Sequence, residues 1–322
     1  LIAMHKILVS RVAGGLGDQI CATVAVRAAQ ERYGGDDYIV HASTGRPEWH
    51  DLFHDQGYCA GGYVPFSRGG TDQYDHHFSL DGPEDRYEKT HNWDASMSRI
   101  EIWCRSVDHV PADLCPHWRP TPGETKWAKS LLKQRHLVSG EFVVLHWRCA
   151  PGMAYKDIQH RYALAELLGA RWPLLVLHHV DKNTPLDPDW KLVLEKSILK
   201  DAAIPFHVES GLTLRQLGAV LAMAKLCIGP DSALCHFSAA VDIPFLGVFG
   251  ATCGETVCRH YPKAKWIQAP IDPKWNCGST APCYGVSERS FWCFADHMKG
   301  ECMERVSPEQ IVEEVGDMLL NC

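Results

Sequence analysis

Three stretches of this 322-residue chain carry residue types that could do chemistry. The first, Ala13-Gly14-Gly15-Leu16-Gly17-Asp18, is a glycine-rich turn that ends in a carboxylate. Such a turn suggests a dinucleotide loop, but Ile20 stands where the third glycine of G-x-G-x-x-G belongs, and His41 rather than an acid follows Val40. Asp18 would also repel a pyrophosphate, so nicotinamide and flavin cofactors fit poorly. A carboxylate at a helix start ordinarily caps the helix. Held on a strand-to-helix turn at the carboxyl edge of a sheet, it can equally face a cleft as a general base. Gly15 and Gly17 would then let an acceptor approach the backbone closely.

The second stretch, Gly229-Pro230-Asp231-Ser232-Ala233-Leu234-Cys235-His236, reads as a strand end followed by a helix start. The N–H groups of Ser232 and Ala233 would point at an anion, and the Ser232 hydroxyl would add a hydrogen bond. His236 lies four residues after Ser232, on the same helical face. The third feature is a pair of cations, Arg148 and Lys156, which could balance diphosphate charge. The loop Gly250-Ala251-Thr252-Cys253-Gly254 supplies further small residues and N–H donors, Thr252 among them. A packed histidine and solvated surface cations are the plainer alternatives. No P-loop lysine signature is present, which argues against phosphoryl transfer. Converging loops of this kind describe a nucleoside-diphosphate site.

Two α/β halves must position these residues. Lys6 to Val12 reads as a strand, and Ile20, Cys21, Val24, Ala25, Ala28 and Ala29 mark one apolar face of a helix that Gly34-Gly35 stops. Asp37 to Val40 reads as a second strand. Between residues 43 and 122 the pattern blurs into short elements. In the second half, 142–147, 174–179 and 244–249 read as buried strands. Thr213 with Gln216 predicts a capped helix, and Ser307-Pro308 with Gln310 predicts a last amphipathic one. Strands alternating with helices imply parallel sheets. The predicted fold is therefore α/β, two Rossmann-like doubly wound domains flanking a cleft, divided as 1–135 and 136–322.

Composition bounds the function. Hydrophobic residues make up 46% and charged residues 22%, which excludes disorder and collagen-like classes. No apolar run approaches the ~18 residues of a membrane span, and Met4 reads as the native start without a secretory signal. A cytoplasmic chain follows as the expectation, with peripheral attachment to the inner membrane left open. The net charge of −7 argues against a nucleic-acid partner. Cys277, Cys283, Cys293 and Cys302 are separated by 5, 9 and 8 residues, without tight C-x-x-C pairs. Their spacing leaves a structural Zn or Fe site, free thiols and disulfides all open. His50 and His54 stand four apart, but no Glu follows His50 as in a helical zinc motif.

Most of the chain resembles the family 9 glycosyltransferases, the ADP-heptose heptosyltransferase family. The resemblance is carried by Arg11 through Gly17-Asp18 with Ala22-Thr23, Leu145 to Lys156 and Leu212-Thr213-Leu214. It continues through Asp231-Ser232-x-x-x-His236-x-x-Ala239-Ala240 with Pro244, Phe249 to Thr252, and Cys277 to Cys302 followed by Ser307-Pro308-Glu309-Gln310. It implies the GT-B fold, with an acceptor bound by the first domain and an ADP- or UDP-sugar by the second. It implies inversion at the anomeric carbon with Asp18 as base, Lys156 near the donor diphosphate, and Asp231, Ser232 and His236 along the donor. It also implies that catalysis needs no cofactor. Ala233 departs from the usual glycine, and residues 43–122, the acceptor region, match nothing. Some relatives carry a comparable cysteine cluster, which looks like a metal finger in a protein-glycosylating branch. The leading expectation is transfer of a heptose-like sugar to a glycan, lipopolysaccharide, lipid-linked or protein hydroxyl. The alternatives are a nucleotide-sugar or carbohydrate binding protein without turnover, and a transferase acting on modified nucleic acid.

Overall fold

The computed structural model describes residues 4–35, 37–67, 70–90, 97–149, 153, 156–178, 204–270 and 301–320. Two parallel sheets organise them. The first holds β1 (His5–Arg11), β2 (Tyr38–Thr44) and β3 (His76–Ser79) in the order β2-β1-β3, with Val9 opposite Ala42 and Phe78. The second holds β4 (Val143–Leu145), β5 (Leu174–His178), β6 (Phe206–Ser210), β7 (Leu226–Pro230), β8 (Phe245–Phe249) and β9 (Ala264–Gln268). Its order is β6-β5-β4-β7-β8-β9, all pairs parallel. The expected fold class holds.

Strand order reverses between β4 and β7, where Leu145 lies opposite Ile228. Loops leaving two such strands diverge, and ligands of open α/β sheets bind in the crevice between them. Arg148 and Lys156 follow β4, and Asp231 follows β7. The expected strand 142–147 is shorter, but Phe142, His146 and Trp147 are buried and the His146 N–H still donates to Ile228 O at 2.9 Å.

The helices are α1 (Leu16–Tyr33), α2 (Pro83–Thr90), α3 (Arg99–Ser106), α4 (Pro122–Gln134), α5 (Arg161–Gly169), α6 (Leu214–Leu221), α7 (Ala233–Ala240), α8 (Gly254–Cys258), α9 (Glu301–Glu304) and α10 (Pro308–Leu320). The capping boxes of Thr121 with Glu124 and Thr213 with Gln216 close α4 and α6. Among the described residues no helix is long and apolar enough to cross a membrane.

Helix α1 differs from the one-faced helix its periodicity predicts. Gln19 and Thr23 are buried along with Ile20, Val24 and Ala28, because α1 packs on the first sheet, α3 and α7 together. Its polar buried positions are bonded locally, Thr23 to Ile20 O at 2.6 Å and Gln19 to Ala13 O at 3.2 Å. One buried cluster consequently runs from Ile7 and Val9 through Ile20 and Val24 to Leu234 and Phe237. Trp118 meets Phe237 edge-on at 5.2 Å, and its backbone N–H donates to Ala240 O at 2.7 Å. On the other side of the second sheet, Val143, Leu145, Ile228 and Leu246 pack with Ile311, Val312 and Val315 of α10.

The blurred region 43–122 contains β3, α2, α3 and two short 3-10 turns. Arg215 of α6 donates to Glu124 Oε2 at 3.1 Å and to the carbonyls of Asp51 and His54 at 3.1 Å, pinning one of those turns against the second half.

Candidate active site

β1 delivers the chain into the glycine-rich turn, and buried ion pairs fix where it goes. Arg11, 5% exposed, reaches Glu84 Oε1 at 2.6 Å, Asp81 Oδ1 at 3.2 Å and Leu80 O at 2.7 Å. Its guanidinium stacks 4.9 Å over Trp103, whose indole N–H donates to Glu84 Oε2 at 3.0 Å. Asp81 accepts from the N–H groups of Val12 and Ala13 at 2.9 and 2.8 Å. The turn is thereby clamped to the end of β3. Gly14 then adopts φ +87°, a left-handed backbone that favours glycine, and a Cβ there would fall 2.5 Å from Asp18 Oδ2.

Asp18 occupies the first turn of α1 and accepts from the Gly15 N–H through Oδ2 at 2.8 Å. Oδ1 faces Arg99 Nη1 at 3.3 Å. The cap reading of Asp18 is thus part of the geometry, and it leaves the carboxylate partly exposed, 21% for the side chain, between two halves of the molecule. Arg99 lies in the region where the sequence pattern blurs. A usable signal was present in Ser98-x-x-Glu101, since the Ser98 hydroxyl caps α3 by accepting from Glu101 N at 3.2 Å.

Gly17 has a packing use besides the expected acceptor approach. A Cβ there would lie 2.7 Å from Cδ2 of His236 and 3.5 Å from Cα of Ala233, so glycine is what lets α1 touch α7. This contact brings the first stretch of chemistry to the second. Gly15 is the N-cap residue and holds Asp18 through its N–H.

On the second half, Lys156 Nζ lies 2.6 Å from Asp231 Oδ2, with both side chains nearly buried. Burial alone would raise the Asp231 carboxyl. The Lys156 ammonium overcomes it, helped by His236 and the Thr252 hydroxyl, and holds Asp231 at about 2. A depressed carboxyl stabilises the fold above its unfolded value and loses that contribution as pH falls through its folded one. Asp231 is therefore expected to contribute roughly 2 kcal/mol at neutral pH, lost between about pH 4 and pH 2. Urea titrations should show Asp231→Asn flattening the acid limb of stability across that window; an unchanged limb would assign it to other carboxylates.

Ser232 is the N-cap of α7, in extended backbone, and its Oγ is buried without a hydrogen-bond partner among the described residues. The first-turn N–H groups of α7 open beside it, the arrangement that favours an anion. Ala233 begins the helix, and its Cα is part of the contact with Gly17. Thr252 is buried in the loop after β8. That loop is fixed by Gln268, whose amide N–H₂ donates to the carbonyls of Phe249, Gly250 and Thr252 at 3.2, 2.9 and 3.2 Å while its Oε1 accepts from Gly254 N at 3.0 Å. Gln268 belongs to no motif and is visible only in three dimensions. Arg148 is half-buried after β4. Nearby Asp157 accepts from Cys149 N at 2.6 Å, and burial pushes its carboxyl up to about 6 against that hydrogen bond and the Arg148 charge.

Of the four C-terminal cysteines, Cys277, Cys283 and Cys293 lie outside the described residues. Cys302 does not stand apart from the donor loops as its place before the last helix suggests. A Cβ on Gly250 would meet its Sγ at 2.7 Å, so it packs against the loop after β8. Among the described residues no three His, Cys, Asp or Glu side chains gather to hold a metal, His50 and His54 included.

The fold is that of the GT-B class, two Rossmann-like domains with parallel sheets. Residues 194–274 match the model of glycosyltransferase family 9 (heptosyltransferase). Its backbone is similar to Escherichia coli ADP-heptose LPS heptosyltransferase II, at 17% identity and a TM-score of 0.65 over 98% of this chain and 99% of that one. It is similar to a family 9 glycosyl transferase from Veillonella parvula, at 11% identity and 0.67 over 100% and 99%. It is also similar to TibC, the iron-containing dodecameric heptosyltransferase of enterotoxigenic E. coli, solved with ADP-D-β-D-heptose, at 12% identity and 0.62 over 99% and 78%. No curated protein matches by sequence.

Proposed function

We propose that the chain transfers a heptose-like sugar from a nucleoside-diphosphate donor to a hydroxyl of a glycan, lipid-linked or protein acceptor, inverting the anomeric carbon. In this reading residues 1–135 hold the acceptor and 136–322 the donor. The observation that carries it is the contact of Gly17 with His236, which sets Asp18 of one half beside the Lys156–Asp231 pair and the start of α7 in the other.

The roles follow from charge. The donor diphosphate lies against the α7 N–H groups, the unpartnered Ser232 hydroxyl, and Lys156, with Arg148 and Thr252 at the edges. Asp18, oriented by the Gly15 N–H and Arg99, takes the proton from the acceptor hydroxyl. The acceptor oxygen forms its bond to the anomeric carbon as the bond to the diphosphate breaks, and the nucleoside diphosphate leaves with the electron pair. Lys156 and the helix dipole stabilise the negative charge that develops there. Ion pairing with Asp231 keeps Lys156 aimed before the donor arrives. ADP is the favoured nucleotide because TibC was solved with an ADP-sugar.

Supplying ADP-D-β-D-heptose, or a UDP-sugar, with glycan, lipid-linked and peptide acceptors tests this. Formation of a product of inverted anomeric configuration, with slow donor hydrolysis when no acceptor is present, is expected. Tight donor binding with neither transfer nor hydrolysis would make the chain a binding protein. Activity confined to duplex DNA and collapsing with salt would overturn the acceptor class. We place this activity in the cytoplasm, at the membrane face when the acceptor is lipid-linked.

Cys277, Cys283, Cys293 and Cys302 in this reading form a structural Zn or Fe site with no part in the transfer, supported by their number and by the iron of TibC. Elemental analysis is expected to give about one equivalent of metal, whose removal lowers the melting temperature. Metal below about a tenth of an equivalent, with thiols that titrate freely in the native protein, would leave ordinary cysteines.

A further inference from the structure

His236 has two distinct ring edges. The Cδ2–Nε2 edge faces the start of α1, where a Cβ on Gly17 would lie 2.7 Å from Cδ2 and 3.3 Å from Nε2. The Nδ1 edge faces a buried polar cluster that no part of the proposed chemistry uses. There the Tyr261 hydroxyl lies 2.5 Å from Nδ1, and Cys21 Sγ of α1 lies 3.3 Å from the same nitrogen and 3.6 Å from the hydroxyl. Tyr261 is 4% exposed in the turn between α8 and β9. The same turn reaches the first half through His260 Nε2, 2.9 Å from Ser98 Oγ.

Counting donors and acceptors assigns the protons. Burial pushes the Tyr261 phenol well above its usual range and the Cys21 thiol up to about 12, so both carry hydrogen at any working pH. The cluster then holds an O–H and an S–H, and among the described residues Nδ1 is the one strong acceptor bonded to both. The opposite tautomer would place a third hydrogen on Nδ1 and leave the phenol only a thiol sulfur, a weak acceptor at 3.6 Å. We propose that Tyr261 is a positioning residue: its hydroxyl donates to Nδ1 of His236, fixes the Nε2–H tautomer, and so presents that N–H as a neutral donor to an oxygen of the bound diphosphate. The assignment rests on the donor-site reading above.

The surroundings agree with a neutral ring. Burial disfavours the imidazolium, Lys156 and Arg99 oppose it, and Asp231 and Asp18 favour it; the balance lies below the ordinary histidine value. With Cys21 and Tyr261 behind Nδ1, these are the titratable and charged groups facing the ring. A neutral N–H can bind a diphosphate without first breaking an ion pair to Asp231.

Long-range proton–nitrogen NMR on the full chain with ¹⁵N-histidine tests it, the His236 signals being assigned by their loss in His236→Gln. Wild type is expected to show a protonated Nε2 and a bare Nδ1. Tyr261→Phe keeps the ring and removes the hydroxyl. It is expected to weaken ADP and UDP binding about tenfold, as loss of one well-made hydrogen bond does. It should also move the acid inflection of binding to higher pH, because the neutral ring loses a partner. Packing alone would not move that inflection. If His236→Gln binds both nucleotides as wild type does, His236 does not touch the donor and the proposal fails, while the donor site built on Lys156 and Ser232 stands or falls by Lys156→Ala. If His236→Gln weakens binding while Tyr261→Phe matches wild type in affinity and inflection, only the role of Tyr261 is overturned. A protonated Nδ1 in wild type overturns it as well, whether or not the variant folds.

Discussion

Asp18→Asn is expected to lower turnover by ~10²–10⁴ while nucleotide affinity stays near wild type. The substitution preserves shape, and the remaining carbonyl oxygen can still accept from the Gly15 N–H at the start of α1. What disappears is the proton acceptor and the charge facing Arg99. That ion pair is partly exposed, 33% and 21% for the two side chains, so solvent screens it and its loss costs at most about 1 kcal/mol of stability. The two roles of Asp18 therefore separate in measurement. A base gives a large kinetic loss with a small thermal one, read by transfer assay and calorimetry. Near-full turnover with only a lowered melting temperature would leave Asp18 as a helix cap.

Lys156→Ala is expected to act twice. Removing the ammonium 2.6 Å from Asp231 strands a nearly buried carboxylate, and breaking such a pair costs ~3–5 kcal/mol. ADP binding should also weaken by ~10–100-fold, the worth of a charge-assisted hydrogen bond, while adenosine binding changes little. The double variant Lys156→Ala with Asp231→Asn removes both charges together. It should recover most of the stability and none of the ADP affinity. Recovery of both would reduce Lys156 to a counter-ion for Asp231, outside the diphosphate site.

What the sequence made legible was local. The Thr213–Gln216 box, the Ser307-Pro308 start and the apolar strand runs are short-range signals, and each element stands where its signal puts it. Asp18 and Asp231 were visible because glycine-rich and strand-to-helix turns leave a local mark. The Lys156–Asp231 pair was not, since 75 residues separate the partners and only the adjacency of β4 and β7 brings them together. Arg99 was hidden because β3 and α3 are short, and only the Ser98-x-x-Glu101 cap marks where α3 begins. Helix α1 misled in the opposite sense: its polar positions suggested a wet face, but Gln19 and Thr23 donate to nearby carbonyls and are buried. Gly17 looked like an open loop residue for want of any sign that a histidine of the other half lies against it.

The buried cluster that runs from Ile7 through α1 to Phe237 also bears on how such an enzyme can diversify. A chimera that exchanged the first half for a relative's would have to import a matching Gly17, Cys21 and Trp118 to seat against Ala233, His236 and Phe237. Inheritance of the two halves is therefore coupled at this seam. Free drift is left to segments away from this seam and away from the turn at Asp51 and His54 that Arg215 holds.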